Sequence, residues 1–554
     1  MQIILLIKCK EMKFTDKKRA LAVYILFLCA FLFLSARIFI ISQSGSKASK
    51  ALAGQYTRRI DIASRDGFVF DRNGNMLGTV QDGFILFVNP AAVKSYDTER
   101  ACRALSIASG KEREYFSERI AEGDPFTVES GRAFDAEYCV SFPKYKKDDG
   151  NFLCHLLGYK NSDGVGMSGV FSAYDEYLSD ISGAAGRVSA VYQSDAAGRC
   201  IRGTVPIISD EHYTEKNGVY LTVDKEIQCE VEKICDGSLD MGAVVVMDID
   251  SRELVSVVSR PAYDTGKVVE YLESDKGELI NRAFQGYTPG SVFKTVIAAA
   301  ELERDNSSDL LTYDCSGGID VADSRIRCHK AEGHGELDMA AAFANSCNPY
   351  FINLGMSLGT EKIVQTAKLF GAGMFSSVNL IRCSKGTLPS NITDVPSDAA
   401  NISVGQGQLL LTPVEVCSIV STAVTGVWKK PSAVLKISQS GEEYFYGNTA
   451  PGKRVLEEET SEKLREMFEK CVSSGTGYRA QSEKVLTAGK TATAQSGQLK
   501  DGNEVIHRWF AGYFPADLPQ YAVCVLCDGN GENNSNPADV FRAVAERIYG
   551  LHHE

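Results

Sequence analysis

The sequence lacks an excess of basic residues: 59 lysines and arginines stand against 71 aspartates and glutamates, giving a formal net charge of −12. It has no basic stripe with interleaved aromatic residues either. Because duplex nucleic acids bind mainly through their phosphates, this charge argues against nucleic acid as the main partner. No internal repeat is present, and the length of 554 residues predicts two or three globular domains.

Long apolar runs are scarce, and the clearest one lies near the N-terminus at residues 20–41. No charged side chain occurs between Ala20 and Ala36, and the total of about 22 residues is enough to cross a bilayer as a helix. Basic residues precede the run, which predicts a cytoplasmic N-terminus and an extracytoplasmic remainder. A cleaved signal peptide would have a shorter apolar core, so we expect a retained single-pass anchor in the cell membrane.

Disulfide frameworks are not indicated, although the chain has 16 cysteines. The cysteines are scattered, and several, such as Cys29 and Cys417, lie in apolar runs. We interpret most of them as small buried hydrophobic residues. Cys524 and Cys527 form a C-x-x-C, but within a strand their side chains point to opposite faces, which argues against a shared redox or metal role.

The string Tyr287-Thr-Pro-Gly-Ser-Val-Phe-Lys294 precedes an apolar helical run. A hydroxyl is a poor nucleophile at neutral pH unless a base lies beside it. Residues three apart share a helix face, so Lys294 can reach the oxygen of Ser291. Burial among apolar neighbours would lower the pKa of this lysine and make its neutral amine available as a base. Taken alone, the spacing also fits an ordinary helix cap with a surface lysine.

Two later strings strengthen the catalytic interpretation. Asn345-Ser-Cys-Asn348 offers Ser346 as a proton relay between lysines and Asn348 as a ligand for a substrate amide. Gly489-Lys-Thr-Ala-Thr493 opens a strand-like run, whose edge can pair with an extended peptide. Its Lys490 adds a positive charge that would lower the pKa of Lys294 further. The three strings in this order are far more specific than any one of them.

The pattern of apolar residues predicts an α+β fold. Strand-like runs occur at both ends of a long, mostly helical stretch, which indicates one antiparallel sheet covered by helices. The predicted strands are 219–223, 242–248, 253–259, 485–495, 508–514 and 521–527, and helices are expected at 225–236, 291–303 and 537–549.

With these motifs the chain resembles a class B penicillin-binding protein, a membrane-anchored transpeptidase that cross-links peptidoglycan. The resemblance covers nearly the whole length and includes the strings 65–77, 221–228, 404–407 and 507–512. It implies the penicillin-binding transpeptidase fold, with an antiparallel five-stranded sheet covered by helices, an elongated N-terminal pedestal and one transmembrane helix. The implied domains are a cytoplasmic tail at 1–19, the transmembrane helix at 20–41, the pedestal at 42–215 and the transpeptidase domain at 216–554.

The resemblance also implies a mechanism in which Ser291 attacks a D-alanine carbonyl of a peptidoglycan stem peptide, with Lys294 as base. Ser346 would help to pass the proton, and Asn348 would bind substrate. The amine of a neighbouring stem would resolve the acyl-enzyme, and β-lactams would acylate Ser291 as substrate mimics. No cofactor is implied, and the implied partner is a multi-span glycosyltransferase.

On the strand, the resemblance implies that Lys490 and Thr491 bind the substrate carboxylate. The backbone N–H groups of Ser291 and Thr493 would form the oxyanion hole. One departure is Ala492, since the family motif has glycine there to allow close approach of substrate. Because of Ala492, a catalytically weak scaffold stays open as an alternative to the transpeptidase. A penicillin sensor and a β-lactamase stay open as well, because the resemblance implies a catalytic fold that such proteins share.

Four residues between 315 and 334 invite a metal interpretation: Cys315, Cys328, His329 and His334. Their spacing lacks the paired grip of typical zinc motifs, so we expect no metal. Cys347 lies between Ser346 and Asn348 and must therefore be close to the site. A redox pair of Cys328 and Cys347 that blocks or distorts the cleft is a hypothesis, and two buried thiols are its alternative.

Overall fold

The structure is a computed structural model that describes residues 14–179, 184–195, 199–201, 204–390, 395–447, 451–500 and 502–553. Contacts divide the chain into two compact units. The first comprises residues 1–63, 83–144 and 188–210, and the second comprises 64–82, 145–187 and 211–554. The predicted pedestal, 42–215, contributes residues to both units, and its boundary at 215 stays a prediction.

The helices follow the chain in this order: α1 (Phe14–Gln55), α2 (Thr98–Ser109), α3 (Arg113–Glu122), α4 (Cys154–Leu157), α5 (Gly169–Ala173), α6 (Asp175–Leu178), α7 (Lys225–Asp236), α8 (Val268–Tyr271), α9 (Lys294–Leu302), α10 (Met339–Ala344), α11 (Asn348–Leu358), α12 (Thr360–Leu369), α13 (Pro396–Ser403), α14 (Pro413–Thr425), α15 (Glu458–Ser474) and α16 (Pro537–His553).

The strands are β1 (Thr57–Arg65), β2 (Phe68–Phe70), β3 (Met76–Leu77), β4 (Thr79–Val88), β5 (Phe126–Ser130), β6 (Cys139–Lys147), β7 (Gly186–Gln193), β8 (Ile207–Glu211), β9 (Gly218–Leu221), β10 (Gly242–Asp248), β11 (Leu254–Arg260), β12 (Tyr313–Cys315), β13 (Gly318–Val321), β14 (Ser324–Arg327), β15 (Gly335–Leu337), β16 (Ser377–Val378), β17 (Ile381–Arg382), β18 (Val427–Trp428), β19 (Val434–Gln439), β20 (Glu442–Phe445), β21 (Lys453–Arg454), β22 (Ala488–Lys500), β23 (Asn503–Phe514) and β24 (Tyr521–Cys527).

Helix α1 contains the predicted membrane anchor. Its segment Leu21–Ile40 has a mean hydropathy of 2.4 and no buried residue, so it is long and apolar enough to cross a membrane. This finding agrees with the predicted apolar span at 20–41. Three of the six basic residues before the span, Lys8, Lys10 and Lys13, lie in 1–13, outside the described residues.

The first unit contains two three-stranded sheets, with strand orders β1-β7-β8 and β5-β4-β6. Helices α2 and α3 cover the second of these sheets through a small apolar cluster. Leu86, Leu105, Phe116 and Phe126 form its centre and are almost completely buried.

The second unit is built on a five-stranded sheet with the order β11-β10-β24-β23-β22. Every neighbouring pair is antiparallel, which confirms the predicted sheet. Side chains alternate between its faces, so Val245 and Cys524 enter one apolar cluster while Val244 and Cys527 enter another. The two cysteines of the C-x-x-C therefore lie on opposite faces, as predicted, and β22 forms one edge of the sheet.

Helices cover both faces of this sheet. Residues of α9 and α14 join the cluster on one face, and residues of α7 and α16 join the cluster on the other. The predicted bounds of α7, β10 and β24 agree with the structure. The helix predicted at 291–303 instead begins with a 3-10 turn, Gly290–Phe293, before α9 starts at Lys294. The stretch expected to be mostly helical also contains the short strand pairs β12–β15 and β13–β14.

Residues 65–77 form a compact network of polar contacts at the start of the second unit. The guanidinium of Arg65 donates hydrogen bonds to the carbonyl oxygens of Tyr213 (2.8 Å) and His212 (2.7 Å). The carboxylate of Asp71 accepts the N–H groups of Asn73 and Asn75 and so closes the turn between β2 and β3. Arg65 and Asp71 are both buried, so these polar contacts are part of the interior.

We expect Arg65→Lys to destabilise the second unit by about 2 kcal/mol or more, because lysine cannot reproduce several hydrogen bonds donated by one planar group. Chemical denaturation followed by tryptophan fluorescence would report the loss, since Trp428 and Trp509 both lie in this unit. Arg59→Lys is the matched control, because that side chain is about half exposed. Equal stability of the two variants would contradict the structural role of Arg65.

Candidate active site

Ser291 lies in the 3-10 turn before α9 and is partly exposed. The turn is held from two sides. The N–H of Gly290 donates a hydrogen bond to the carbonyl oxygen of Gly405 at 3.0 Å. The indole N–H of Trp509 donates a hydrogen bond to the carbonyl oxygen of Thr288 at 3.1 Å. Gly290 has φ +57°, a left-handed conformation that favours glycine. The backbone before Ser291 is therefore fixed by the loop after α13 and by strand β23, two distant parts of the sequence.

Lys294 is completely buried beneath the turn. Its Nζ donates to the carbonyl oxygen of Ser346 (2.8 Å), to Oδ1 of Asn348 (2.8 Å) and to Oγ of Ser346 (3.3 Å). Burial, and then the charge of Lys490, hold the pKa of Lys294 well below its usual value. The structure thus brings the predicted base and the S-x-N string into direct contact.

The S-x-N string occupies the connection between α10 and α11. Ser346 has φ +53°, which is uncommon for a residue with a side chain and is typical of strained backbone at functional sites. The connection is closed by the N–H of Cys347, which donates to the carbonyl oxygen of Ala342 at 2.8 Å. This conformation directs both the carbonyl and the hydroxyl of Ser346 to Lys294.

Lys490 lies on the edge strand β22 and is also completely buried. Its Nζ donates to the carbonyl oxygen of Thr491 at 2.9 Å and lies 5.6 Å from the centre of the Phe343 ring. Burial lowers the pKa of Lys490. The edge strand therefore brings a second amine close enough for its charge to act on Lys294.

Thr476 is a site residue that the sequence analysis missed. Its Oγ lies 2.7 Å from Oγ of Thr491, and its N–H donates to the carbonyl oxygen of Ala344 at 3.0 Å. It therefore links the loop after α15 both to β22 and to the end of α10. The flanking Gly475 and Gly477 are a turn signal that could have drawn attention to this residue.

Ala492 is 5% exposed, and its side chain points into the core beside Gly290. A Cβ added to Gly290 would lie 3.4 Å from the Cβ of Ala492 and 3.0 Å from that of Ala494. Along the strand, the alternate residues Thr491 and Thr493 are more exposed. The methyl group that departs from the expected glycine therefore packs against the nucleophile turn.

Cys328 and Cys347 are free, buried thiols. Their sulfur atoms, the sulfur of Cys315 and a ring nitrogen of His334 all lie within 4.8 Å of one another. The sequence lacks the paired spacing of typical zinc motifs, but the short strand pairs bring distant residues together, so spacing alone does not argue against a metal here. The sequence also pointed to His329, but the structure places this residue outside the cluster. Its ring centre lies 5.1 Å from that of His334.

Residues 242–546 match the family model described as the penicillin binding protein transpeptidase domain. This match covers more than half of the 554 residues. The chain belongs to the class B penicillin-binding proteins. The family assignment agrees with the geometry, because the nucleophile turn, the S-x-N string and the edge strand all lie within the matched region.

Curated relatives extend the match beyond the transpeptidase domain. The chain is 28% identical to stage V sporulation protein D of Bacillus subtilis over 93% of this chain and 82% of that protein. It is 25% identical to the peptidoglycan D,D-transpeptidase MrdA of Acinetobacter baumannii over 86% of this chain and 79% of that protein. This class B penicillin-binding protein is thus similar to its relatives over most of their length.

Solved structures share the fold. A penicillin-binding protein, PBP2, solved in a complex with MreC from Helicobacter pylori, has a TM-score of 0.64 at 20% identity, covering 90% of this chain and 99% of that one. A peptidoglycan synthetase from Bifidobacterium adolescentis also has a TM-score of 0.64, at 18% identity, covering 90% of this chain and 97% of that one. They confirm the expected penicillin-binding transpeptidase fold.

We expect Gly290→Ala to slow β-lactam acylation by about tenfold or more. Alanine is strained at the positive φ of this position, and its methyl group would lie close to Ala492 and Ala494, next to Ser291. Ala492→Gly should leave acylation within a few-fold of the parent and lower stability by about 1 kcal/mol, since only a buried methyl group is lost. Stopped-flow acylation with a chromogenic cephalosporin, alongside thermal unfolding, would measure both effects. Faster acylation in Ala492→Gly would show instead that Ala492 obstructs the site.

Proposed function

We propose that the protein is a peptidoglycan D,D-transpeptidase that cross-links stem peptides through an acyl-enzyme on Ser291. The observation that carries this proposal is the buried amine of Lys294, held by Ser346 and Asn348 and lying three residues after the serine, at the point where the 3-10 turn meets α9. A hydroxyl followed by a desolvated amine is the arrangement that a serine nucleophile needs. The names of the curated relatives, which include peptidoglycan D,D-transpeptidases, support the same substrate class.

In the first step, Lys294 in its neutral form accepts the proton of the Ser291 hydroxyl. The serine Oγ forms a bond to the penultimate D-alanine carbonyl carbon of the donor stem. The C–N bond to the terminal D-alanine then breaks, and its amine receives a proton, for which Ser346 is the relay. A low pKa of Lys294 favours this step, because more of the amine is neutral at physiological pH.

Substrate binding is assigned to the edge strand and the nucleophile turn. Lys490 and Thr491 bind the substrate carboxylate, and the extended stem peptide pairs with the open edge of β22. The N–H groups of Ser291 and Thr493 stabilise the oxyanion, a role in which a single donor is worth roughly 3 kcal/mol. Asn348 binds a substrate amide in addition to its contact with Lys294.

In the second step, an amine of a neighbouring stem attacks the ester carbonyl and loses a proton. The C–O bond to Ser291 breaks and the serine oxygen takes up a proton, which releases Ser291 with the new cross-link. β-Lactams acylate the same serine as mimics of the donor.

We assign residues 1–19 to the cytoplasm and the catalytic unit to the outer side of the membrane, on the basis of the basic residues that precede the apolar helix. A multi-span glycosyltransferase that makes the glycan strand is the proposed partner.

Ser291→Ala should abolish covalent labelling by a fluorescent penicillin, because the ester oxygen is missing. Lys294→Arg should slow labelling at least about 100-fold, since arginine stays protonated near neutral pH and cannot act as a base. Gel fluorescence after timed labelling of the full chain in detergent measures both variants. Circular dichroism must show native folding in each.

The outcomes of this experiment separate the open alternatives. Label that persists in Ser291→Ala contradicts the proposed nucleophile. A parent protein that folds but takes up no label favours the catalytically weak scaffold. Rapid loss of label with hydrolysis of the antibiotic favours a β-lactamase.

Thr476→Val should lower the second-order rate of acylation by about tenfold, because Thr491 loses the hydroxyl partner that positions it. The loss should appear mainly as weaker binding of the β-lactam before acylation and not as a slower chemical step, since Lys294 and Ser291 keep their contacts. Thr366→Val is a matched control, because its hydroxyl also makes a hydrogen bond but donates it to the carbonyl oxygen of Lys362 within α12, at 3.0 Å. Equal rates in the two variants would remove Thr476 from the proposed site.

A further inference from the structure

We propose that Cys315, Cys328, His334 and Cys347 form a tetrahedral zinc site that fixes the S-x-N string. This site is distinct from the catalytic groups and goes beyond the proposed transpeptidase function. Three cysteines and one histidine are a ligand set typical of structural zinc. Metal content does not depend on acylation, so this proposal can fail or succeed separately from the proposed function.

The distances suit zinc. Four ligand atoms around one ion, at roughly 2.3 Å for sulfur and 2.0–2.1 Å for nitrogen, are separated from one another by roughly 3.5–3.8 Å in a tetrahedron. Sγ of Cys328 lies 3.5 Å from Nδ1 of His334, and all four atoms lie within 4.8 Å of one another. Small side-chain movements would therefore bring every ligand to bonding distance.

The local fold is built to bring these ligands together. Cys315 ends β12 and lies opposite Gly335 in the β12–β15 pair, next to His334. The N–H of Cys328 donates to the carbonyl oxygen of Gly317 at 3.0 Å, which ties the residue after β14 to the loop after Cys315. Cys347 is the N-cap residue of α11.

Glycine allows the close approach of these loops. Gly317 and Gly333 both have positive φ, near +88° and +87°. A Cβ at Gly317 would collide with the carbonyl oxygen of Ala331, and one at Gly333 with that of Cys315. The two loops that supply Cys315 and His334 therefore touch through their backbones, as expected where loops converge on one small ion.

A metal explains this cluster better than a disulfide or three inert thiols. A Cys328–Cys347 disulfide would use two of the sulfur atoms and leave Cys315 and His334 without a role. Cys315, Cys328 and Cys347 are all buried, and His334 is partly buried. Thiolate and imidazole are ligands that zinc prefers over the hard cations calcium and magnesium. His329, with Nδ1 at 3.9 Å from the Cys328 sulfur, is the neighbouring imidazole that the experiment must separate from His334.

The position of Cys347 gives the metal a function. Its neighbours Ser346 and Asn348 supply the oxygen atoms that hold Lys294. A zinc–sulfur bond at Cys347 would anchor the strained backbone between them. Zinc therefore acts as a positioning element and does not take part in the chemical step.

The experiment is metal analysis of the full chain purified in detergent without chelator. We expect one zinc per chain in the parent and a loss of at least about tenfold in Cys315→Ser and His334→Gln, because even outer-shell changes cost 10- to 100-fold in affinity. Cys383→Ser, a partly buried cysteine outside the cluster, and His329→Gln should both keep the metal. Cobalt added to the metal-free parent should give the thiolate charge-transfer bands and intense visible bands of a tetrahedral site.

Clear results would overturn the proposal. Parent protein that lacks zinc, gives no cobalt bands and shows by mass spectrometry a Cys328–Cys347 disulfide would replace the metal site with the redox pair. His334→Gln is decisive, because it leaves that disulfide intact but removes a zinc ligand. Equal zinc in all variants would also refute the site. Slower penicillin labelling after chelation, restored by zinc, would support the positioning role, and unchanged labelling would refute that role.

Discussion

The active site depends on the burial of one amine. An ammonium group removed from water loses several kcal/mol of solvation unless hydrogen bonds replace it. Lys294 finds its acceptors in Ser346 and Asn348, some fifty residues further along the chain. The contact at 3.3 Å between Nζ and the Ser346 hydroxyl serves both protonation states, because a hydroxyl accepts from an ammonium and donates to a neutral amine. The lysine can thus gain and lose a proton without leaving a buried group unsatisfied.

This requirement explains the arrangement of the second unit. The site requires close contact between three elements: the turn before α9, the α10–α11 connection and the edge strand β22. The five-stranded sheet, packed on both faces by apolar clusters, is the rigid base that holds these elements together. Contacts such as the Trp509 indole on Thr288 and the Thr476 hydroxyl on Thr491 then set the last positions. Since these contacts join elements distant in sequence, the geometry of the site depends on the whole catalytic unit.

Much of this arrangement could be predicted from the sequence. Strands such as β10 and β24 are continuous apolar runs, and α7 has an amphipathic pattern with an aspartate cap, so local signals determine their bounds. Ser291, Lys294 and the S-x-N string are recognisable because their chemistry requires fixed spacings. The strand pairs between 313 and 337 could not be predicted, because each strand has only three or four residues and owes its stability to tertiary packing. The direction of the Ala492 methyl group likewise depends on register, which one strand does not reveal.

The same limit applies to the cysteines around the S-x-N string. Spacing along the chain describes a metal site only when the ligands lie on one local motif, whereas here they come from the end of β12, the loop between β14 and β15 and a helix cap. Ser346 holds a left-handed backbone conformation that costs of order 1–3 kcal/mol and persists only where its surroundings impose it. The hydrogen bond from Cys347 to Ala342 provides part of that constraint from within the helix pair. The proposed zinc would provide the rest through the same residue, so the stability of the catalytic conformation and the binding of the metal would be linked: whatever stabilises one must stabilise the other.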